Sequence, residues 1–170
     1  MELAKTIRNI PDFPVKGILF KDITTLLNDK KAFKTVINRL TASFKDKGID
    51  YIVCAEARGF IFGGALAYKL GCGLVPVRKP GKLPYKTYTY TYSLEYGKDS
   101  LEIHRDAFPP RARILILDDL LATGGTTLAL VNLVKKLGGK IAGIGFLIEL
   151  TGLKGRNKLR GYSLYSLIKF

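Results

Sequence analysis

The sequence predicts an α/β fold, with a central and mostly parallel sheet flanked by helices. Short apolar runs of the kind that form buried strands alternate along the chain with segments whose apolar residues recur at helical spacing. This alternation favours a parallel sheet, because each return to the same strand direction needs a crossover helix. The 170 residues suffice for a single domain, 1–170, and the sequence contains no repeat or low-complexity linker.

The elements follow in order from the apolar pattern. The first 28 residues contain the turn IPDFP and then the mixed stretch GILFKDITTLL. Helical spacing of the apolar residues predicts an amphipathic helix over 29–47, a small-residue helix over 60–70 and a further helix over 125–137. Short apolar runs predict buried strands at 51–55, 74–77, 114–117, 141–147 and 162–168.

A hairpin arm is predicted between the second and third of these buried strands. Within residues 86–92, threonine and tyrosine alternate from Thr87 to Tyr92, which is the period of a strand with two different faces. The turn residues Gly97, Lys98 and Asp99 would lead into a returning strand over 100–104.

Composition argues against several classes of protein. No run of about 18 apolar residues occurs, so we expect no membrane span. The first residues lack the apolar core of a signal peptide. Cys54 and Cys72 lie in apolar surroundings without C-x-x-C spacing. We therefore expect small core cysteines in a reducing, cytoplasmic compartment.

The net charge of +14 favours an anionic partner. The basic residues are spread along the chain instead of forming one block, and no nucleic-acid-binding signature occurs. We therefore favour an anionic small molecule over a nucleic acid as the partner.

The segment ILILDDLLATGGTT, at 114–127, carries the clearest functional pattern. A buried strand delivers Asp118 and Asp119 to a loop of glycines and threonines that precedes a helix. Backbone N–H groups at a helix N-terminus suit a phosphate, and paired carboxylates suit two sugar hydroxyls or a hard cation such as Mg²⁺. The pattern predicts a site for a phosphorylated sugar. The alternative is a strand–loop–helix joint whose acids merely cap the helix.

Two further loops follow predicted strands at the same edge of the sheet. Arg58, in the sequence EARGF, offers a planar donor fork for a diphosphate. Lys79 and Lys82 follow the next strand and would balance the charge of a substrate that carries phosphate and diphosphate. Taken alone, each loop is equally compatible with solvated surface charge.

The segment 118–127 resembles the PRPP-binding motif of the type I phosphoribosyltransferases. The resemblance implies that Asp118 and Asp119 hold the ribose 2′- and 3′-hydroxyls of PRPP. The loop that would cradle the 5′-phosphate consists of Ala122, Thr123, Gly124, Gly125 and Thr126.

The same resemblance assigns the two neighbouring loops to the pyrophosphate group of PRPP. It places Arg58, Lys79 and Lys82 there. It also implies a cis peptide bond, which by position would join Glu56 to Ala57.

Three other motifs, spread over the chain, resemble the members of this family that act on adenine. They are SLEYG at 93–97, FPVKGILFKDI at 13–23 and ELTGLKGR at 149–156. The last two match the hood that covers the base, to which residues 1–28 would contribute. The resemblance implies that Phe20 stacks on adenine. It also implies that the backbone groups of Leu19 and Lys21 meet the adenine edge, so that these three residues bind the base.

The motif SLEYG lies in the hairpin arm, so the resemblance implies that residues 83–106 form a flexible catalytic arm. Glu95 would handle the proton of the purine, and Tyr96 would close over the sugar diphosphate of PRPP. Arg58 and Lys79 would stabilise the departing diphosphate. The candidate catalytic residues are therefore Glu95, Arg58 and Lys79.

As a whole, the resemblance implies a type I phosphoribosyltransferase fold with a hood and a flexible β-hairpin arm. The implied reaction is adenine with PRPP, giving AMP and pyrophosphate. Mg²⁺ would be held mainly through PRPP, without a dedicated protein cage, and the protein would be a homodimer. Two alternatives stay open: a phosphoribosyltransferase for another purine base, and a PRPP-sensing regulator that binds nucleic acid without catalysis.

Overall fold

The computed structural model describes residues 2–94 and 97–170, and within them the chain forms four α-helices and nine strands. The helices are α1 (Thr24–Asn28), α2 (Lys30–Phe44), α3 (Arg58–Leu70) and α4 (Gly125–Lys136). The strands are β1 (Arg8–Pro11), β2 (Leu19–Asp22), β3 (Tyr51–Ala55), β4 (Gly73–Val77), β5 (Thr87–Leu94), β6 (Gly97–His104), β7 (Arg113–Leu121), β8 (Lys140–Glu149) and β9 (Leu164–Lys169). No helix in this described part of the chain is long and apolar enough to cross a membrane.

The central sheet has five strands in the order β4-β3-β7-β8-β9, and each neighbouring pair is parallel. This confirms the predicted α/β architecture. The helices pack on both faces, as the near-continuous apolar strands require. On one face α2 and α3 bury Leu40, Phe44 and Phe62 against the sheet. On the other face α4 buries Leu130 and Val134.

Helix α2 begins where its sequence predicts and ends three residues before the predicted end. The Asp29 carboxylate accepts hydrogen bonds from the N–H groups of Lys31 and Ala32, at 2.8 and 3.1 Å, and so satisfies two N–H groups of the first turn. A short 3-10 helix at Lys45–Lys47 and then Gly48, with φ of 58°, close the segment. Only the last turn therefore differs from the helix expected over 29–47.

Strand β7 extends beyond the apolar run at 114–117. It continues through Asp118 and Asp119 to Leu121, and it keeps its pairing with β8 as far as Glu149. The two acids are therefore part of the sheet. The hydrophobicity pattern predicted the end of this strand too early, because it stopped before the acids. Similarly, β6 begins at Gly97 and so includes the residues expected to form a turn.

Two antiparallel hairpins flank the sheet. The first pairs β1 with β2 and contains the predicted base-binding residues. The second pairs β5 with β6, from Thr87 opposite His104 to Leu94 opposite Gly97. Tyr88 and Tyr90 of this arm pack against the core on the α4 side, which accounts for one face of the Thr/Tyr alternation.

Candidate active site

A cavity of about 250 Å³ lies at the carboxyl ends of β3 and β7, where ligands bind in parallel α/β sheets. Its walls include the ends of both strands and the first residues of α3 and α4. The lining residues are Ala55, Glu56, Ala57, Arg58, Asp118, Asp119, Leu120, Ala122, Thr123, Gly124, Gly125, Thr126 and Thr127. A larger depression of about 690 Å³ at the amino ends of the strands contains none of the predicted site residues.

The paired acids are the electrostatic centre of this cavity. Asp118 is 8% exposed and Asp119 is 6% exposed. The N–H of Asp119 donates to Asp118 Oδ1 at 2.9 Å. Arg58 Nε lies 2.7 Å from Asp119 Oδ2 and joins the start of α3 to the acid pair.

Burial perturbs both carboxyl groups. It raises the pKa of Asp118 well above its ordinary value, and the neighbouring Asp119 charge raises it further. Burial also raises the pKa of Asp119, although the Arg58 guanidinium acts in the opposite direction. Two adjacent carboxyls with raised pKa values, in a cleft, are typical of a functional site. They would gain favourable partners when sugar hydroxyls or a cation enter.

The small loop after β7 is shaped by glycine. Gly124 has φ of 80° and is the N-cap residue of α4, so it offers no side chain that could compete for the N–H groups of the first turn. A Cβ atom on Gly124 would lie 2.7 Å from the carbonyl oxygen of Gly155. The loop therefore follows a path that only glycine permits, and it leaves the helix N-terminus available to an anion.

Phe20, on β2, is linked to the cavity through its contact with Arg58. The Arg58 guanidinium lies 5.6 Å from the centre of the Phe20 ring. Phe13 packs edge-on against that ring, with the ring centres 5.1 Å apart. Because Arg58 also pairs with Asp119, the predicted base-stacking residue and the predicted sugar-binding acids share one neighbour.

The side chains of the other two predicted base-binding residues differ in their surroundings. Lys21 Nζ lies 3.9 Å from the centre of the Phe170 ring and donates to Asn9 Oδ1 at 2.7 Å. Leu19 is 51% exposed. This arrangement is compatible with the expectation that residues 19 and 21 act through their backbone.

Glu56 organises the loop that follows β3. Its peptide bond to Ala57 is cis, as the resemblance implied. The Glu56 carboxylate accepts from the N–H of Lys79 at 2.6 Å and lies 3.3 Å from Arg78 Nε. The hydrogen bond from Lys79 is the main reason that the pKa of Glu56 is lowered, so this carboxylate is held charged. Glu56 thus joins the Arg58 loop to the lysine loop that follows β4.

The side chains of Lys79 and Lys82 lie on the exposed surface of that second loop. Lys79 Nζ lies 3.2 Å from Asp99 Oδ2, on β6 of the arm. The Tyr92 hydroxyl, on β5, lies 3.4 Å from the same carboxylate oxygen and 3.4 Å from Thr126 Oγ1. The arm is thus connected to a predicted pyrophosphate-binding lysine and to the predicted phosphate loop.

The structure brings most of the predicted residues together. Asp118, Asp119, Arg58 and the loop over 122–126 line one cavity. Glu95 and Tyr96 lie outside the described residues, so their roles stay predictions.

Sequence reasoning missed four residues that shape the site. Glu56 and Asp99 form hydrogen bonds and ion pairs with residues distant in the sequence, and no sequence pattern predicts such contacts. Tyr92 could not be distinguished from the other tyrosines of the Thr/Tyr alternation. A Cβ atom on Gly59 would lie 3.2 Å from Asp118 Oδ1. Glycine at the start of α3 was the one available signal, since it marks a close approach.

Comparison with known proteins agrees with this geometry. Residues 24–164 match the phosphoribosyl transferase domain. The chain is 57% identical, over 169 residues, to the adenine phosphoribosyltransferase of Chloroflexus aurantiacus, a match that spans 99% of this chain and 98% of that protein. It is 58% identical to the crystal structure of the adenine phosphoribosyltransferase of Thermoanaerobacter pseudethanolicus, with a TM-score of 0.97 over 99% of this chain and 98% of the other.

A crystal structure with bound ligands is known for a third similar protein. The adenine phosphoribosyltransferase of Saccharomyces cerevisiae, in complex with D-2,5-dideoxy-2,5-imino-altritol 1,6-bisphosphate and adenine, is 41% identical. The two structures superpose with a TM-score of 0.92, and the match spans 98% of this chain and 96% of that one.

Proposed function

The chain belongs to the family of adenine phosphoribosyltransferases, and we propose that it carries out their reaction in the cavity between β3 and β7. It is an enzyme of adenine salvage. The reaction transfers the 5-phosphoribosyl group of PRPP to adenine and gives AMP and pyrophosphate.

One observation carries the assignment to this cavity: two buried carboxyls lie beside a glycine-capped helix N-terminus. Asp118 and Asp119 supply acceptors for the two ribose hydroxyls, and burial raises the pKa of both carboxyl groups. The loop over 122–126 supplies N–H groups for the 5′-phosphate. The two parts together hold the sugar phosphate and so present the anomeric carbon.

The departing diphosphate is assigned to the cationic side of the cavity. In the reaction the bond from the anomeric carbon to the diphosphate oxygen breaks, and the bond to N9 of adenine forms. Arg58 and Lys79, with Lys82 beside them, would stabilise the negative charge that develops on the diphosphate. Lys79 reaches it once its ammonium leaves Asp99.

Magnesium is proposed as the cofactor, bound mainly through PRPP. In the described part of the chain no group of three or more His, Cys, Asp or Glu side chains is placed to hold a metal ion. The Asp118 and Asp119 carboxylates are donors that Mg²⁺ prefers, although one of them pairs with Arg58. When bound, the ion would add positive charge at the diphosphate.

The hood would hold adenine in line with the anomeric carbon. Phe20 offers its ring for stacking, and the backbone groups of Leu19 and Lys21 would meet the edge of the base. An amino purine needs an acceptor where an oxopurine needs a donor. Leaving a buried polar group unpaired costs about 1–3 kcal/mol, so the backbone suffices to discriminate the two.

Several features of the proposal rest on family membership. Glu95 would take the N9 proton of adenine, and Tyr96 would cover the sugar diphosphate while the arm excludes water. The working form would be a homodimer in the cytoplasm.

The test of the function is AMP formation from PRPP, Mg²⁺ and adenine, run beside hypoxanthine, guanine and xanthine. We expect AMP from adenine and no product from the oxopurines. A double variant, Asp118→Asn with Asp119→Asn, should stay folded and lose PRPP affinity. Unchanged PRPP affinity in this variant would refute the ribose assignment, and product from an oxopurine would refute the hood assignment. Folded protein that binds PRPP without making product from any base would instead support a sensor.

A further inference from the structure

An ion pair at the end of β8, between a buried carboxylate and a partly exposed guanidinium, has no part in the reaction described above. Glu149 is the last residue of β8 and is 4% exposed. Arg156 Nε lies 2.6 Å from Glu149 Oε1, and Arg156 Nη2 lies 2.8 Å from Oε2. The same Nη2 donates to Ser166 Oγ of β9 at 3.2 Å. One guanidinium therefore satisfies both carboxylate oxygens in the two-bond geometry that fixes orientation most strongly.

The carboxylate and the guanidinium of this pair each stabilise the charged form of the other. The hydrogen bonds from Arg156 are the main reason that the pKa of Glu149 is lowered, with a smaller contribution from Ser166. The same contact raises the pKa of Arg156. The pair is thus a permanent link between the end of β8 and the segment that contains Arg156.

That segment lies directly behind the phosphate loop. In the sheet, Glu149 is opposite Leu121, the last residue before the loop, and the N–H of Leu150 donates to the carbonyl oxygen of Leu121 at 2.9 Å. Gly155 approaches the loop so closely that an added Cβ atom would collide with the carbonyl oxygen of Ala122. From the other side, a Cβ atom on Gly124 would collide with Gly155. Two glycines thus allow backbone to lie against backbone.

The backbone of this segment adopts an unusual conformation that its surroundings must hold in place. Lys154 has φ of 53°, in the left-handed region that non-glycine residues rarely adopt, and it separates two short 3-10 helices. A residue in this region persists where its surroundings fix it. Arg156, two residues further on, supplies the fixed point through Glu149.

We propose that Arg156 is a positioning residue for the phosphate loop, with Glu149 as its anchor. The pair holds Gly155 against Ala122 and Gly124, and so sets the loop in the geometry that receives the 5′-phosphate. The inference rests on the proposed function of the loop. It gives the end of the ELTGLKGR motif a role at the phosphate, in addition to the hood that the resemblance implied.

The test separates the parts of the substrate. AMP contains the 5′-phosphate and adenosine lacks it, so the ratio of their affinities measures the phosphate contribution. Pyrophosphate with Mg²⁺ measures the other side of the cavity. Isothermal titration of the full chain with these three probes would accompany kcat and KM for PRPP and adenine. The variants are Arg156→Met and Arg156→Lys, and Lys keeps the charge but lacks the planar fork.

We expect both variants to weaken AMP binding and raise KM for PRPP, by about tenfold or more for Arg156→Met, since small misplacements of binding groups have effects of this size. Adenosine and pyrophosphate affinities and KM for adenine should stay within about twofold. Arg160→Met is the matched control, because Arg160 is exposed on the same segment and its side chain contacts Asn157 at 3.5 Å. It removes the same charge and should leave all values unchanged.

Three results would overturn the inference. Wild-type AMP affinity in Arg156→Met would show that the loop needs no anchor. Wild-type behaviour of Arg156→Lys would show that charge alone matters. An equal loss for all probes would indicate general damage to the fold. If Arg156→Met does not fold, Ser166→Ala removes one contact of the same guanidinium and should shift AMP binding in the same direction. Failure of the wild-type chain to bind AMP would contradict the proposed function itself.

Discussion

Asp118 shows at the scale of one residue how function and stability oppose each other. Its carboxyl is 8% exposed, and the charge of the adjacent Asp119 carboxyl acts on it. Folding therefore raises its pKa. A carboxyl of this kind lowers stability wherever the unfolded chain would ionise it. The cost is absent well below about pH 4 and grows as the pH rises toward neutrality.

Asp118→Asn should therefore stabilise the ligand-free protein while it weakens PRPP binding. Asparagine keeps an oxygen that can accept from the N–H of Asp119 and cannot ionise. We expect the free energy of unfolding at pH 7 to rise by about 1 kcal/mol or more, the usual cost of a buried polar group left without partners. The gain should disappear near pH 4. Chemical denaturation at several pH values measures the first effect, and titration with PRPP measures the second.

The matched control is Asp106→Asn, which removes the same charge from an exposed position. It should change neither quantity. A pH-independent gain in Asp118→Asn would show that burial of charge is not the cause. A loss of stability at neutral pH would contradict the raised pKa.

Phe20 is the residue through which the hood meets the sugar site. Phe20→Ala should raise KM for adenine by about tenfold, because base–aromatic stacking contributes about 1–3 kcal/mol. PRPP affinity should change little, since Phe20 is not among the residues that line the cavity of the acids and the phosphate loop. Steady-state kinetics and a PRPP titration give the two numbers. Val15→Ala, at an exposed position in the same hairpin, serves as the control. A normal KM for adenine would show that Phe20 is a packing residue.

At the scale of an element, the phosphate loop depends on backbone that lies close to backbone. Gly124→Ala should disturb the loop for two reasons. Alanine rarely adopts a φ of 80°, and its Cβ atom would lie 2.7 Å from the carbonyl oxygen of Gly155. We expect KM for PRPP to rise by about a hundredfold, which is the effect of moving catalytic groups by about 1 Å. Gly152→Ala is the control, since its Cβ would meet nothing within 4 Å. Equal kinetics of the two variants would show that the loop tolerates a different path.

The arm, as an element, would compete with the substrate for Lys79 under the proposed function, in which Lys79 binds the pyrophosphate. Asp99 holds the Lys79 ammonium at 3.2 Å, and both groups are partly exposed. Asp99→Asn should free the lysine and raise pyrophosphate affinity by up to about fivefold, since exposed ion pairs contribute about 0–1 kcal/mol. Titration with pyrophosphate and Mg²⁺ measures this change, again with Asp106→Asn as the control. Weaker pyrophosphate binding in Asp99→Asn would mean that Asp99 positions Lys79 for the ligand instead of competing with it.

The sequence predicts those elements whose identity depends on local pattern. The runs at 51–55 and 141–147 are apolar because both faces of their strands are buried, so their pattern is sufficient. Strand β7 was predicted too short because Asp118 and Asp119 continue it as polar residues, and their burial depends on the strands beside them. The strand Arg8–Pro11 has no apolar alternation to reveal it.

The same distinction between local pattern and long-range contact applies to the candidate site. The acids and the glycine-rich loop lie in one short segment, so their proximity follows from the sequence. The contact of Gly155 with Ala122 and the pairing of Lys79 with Asp99 join distant parts of the chain. Neither contact leaves a local signal, because a glycine or an acid at such a position is common on any surface loop.

At the scale of the whole molecule, the charge of +14 gives the enzyme a long-range attraction for its anionic substrate. PRPP carries a phosphate and a diphosphate, whereas adenine is neutral near pH 7. The two substrates therefore differ in their response to the overall field of the protein. The attraction falls within a Debye length, which is about 8 Å at physiological ionic strength.

The kcat/KM for PRPP should accordingly fall by about tenfold between about 50 and 500 mM salt, within the range known for steered association. The kcat/KM for adenine, measured with saturating PRPP, should change by less than about twofold and is the internal control. Comparing potassium chloride with potassium acetate separates screening, which depends on ionic strength alone, from competition by one anion at the phosphate loop. An equal fall for both substrates would place the salt effect on the arm or on the fold. A fall with potassium chloride but not with potassium acetate would show that chloride competes with PRPP in the cavity. Either of these two results would mean that the basic surface has no role in recruiting PRPP.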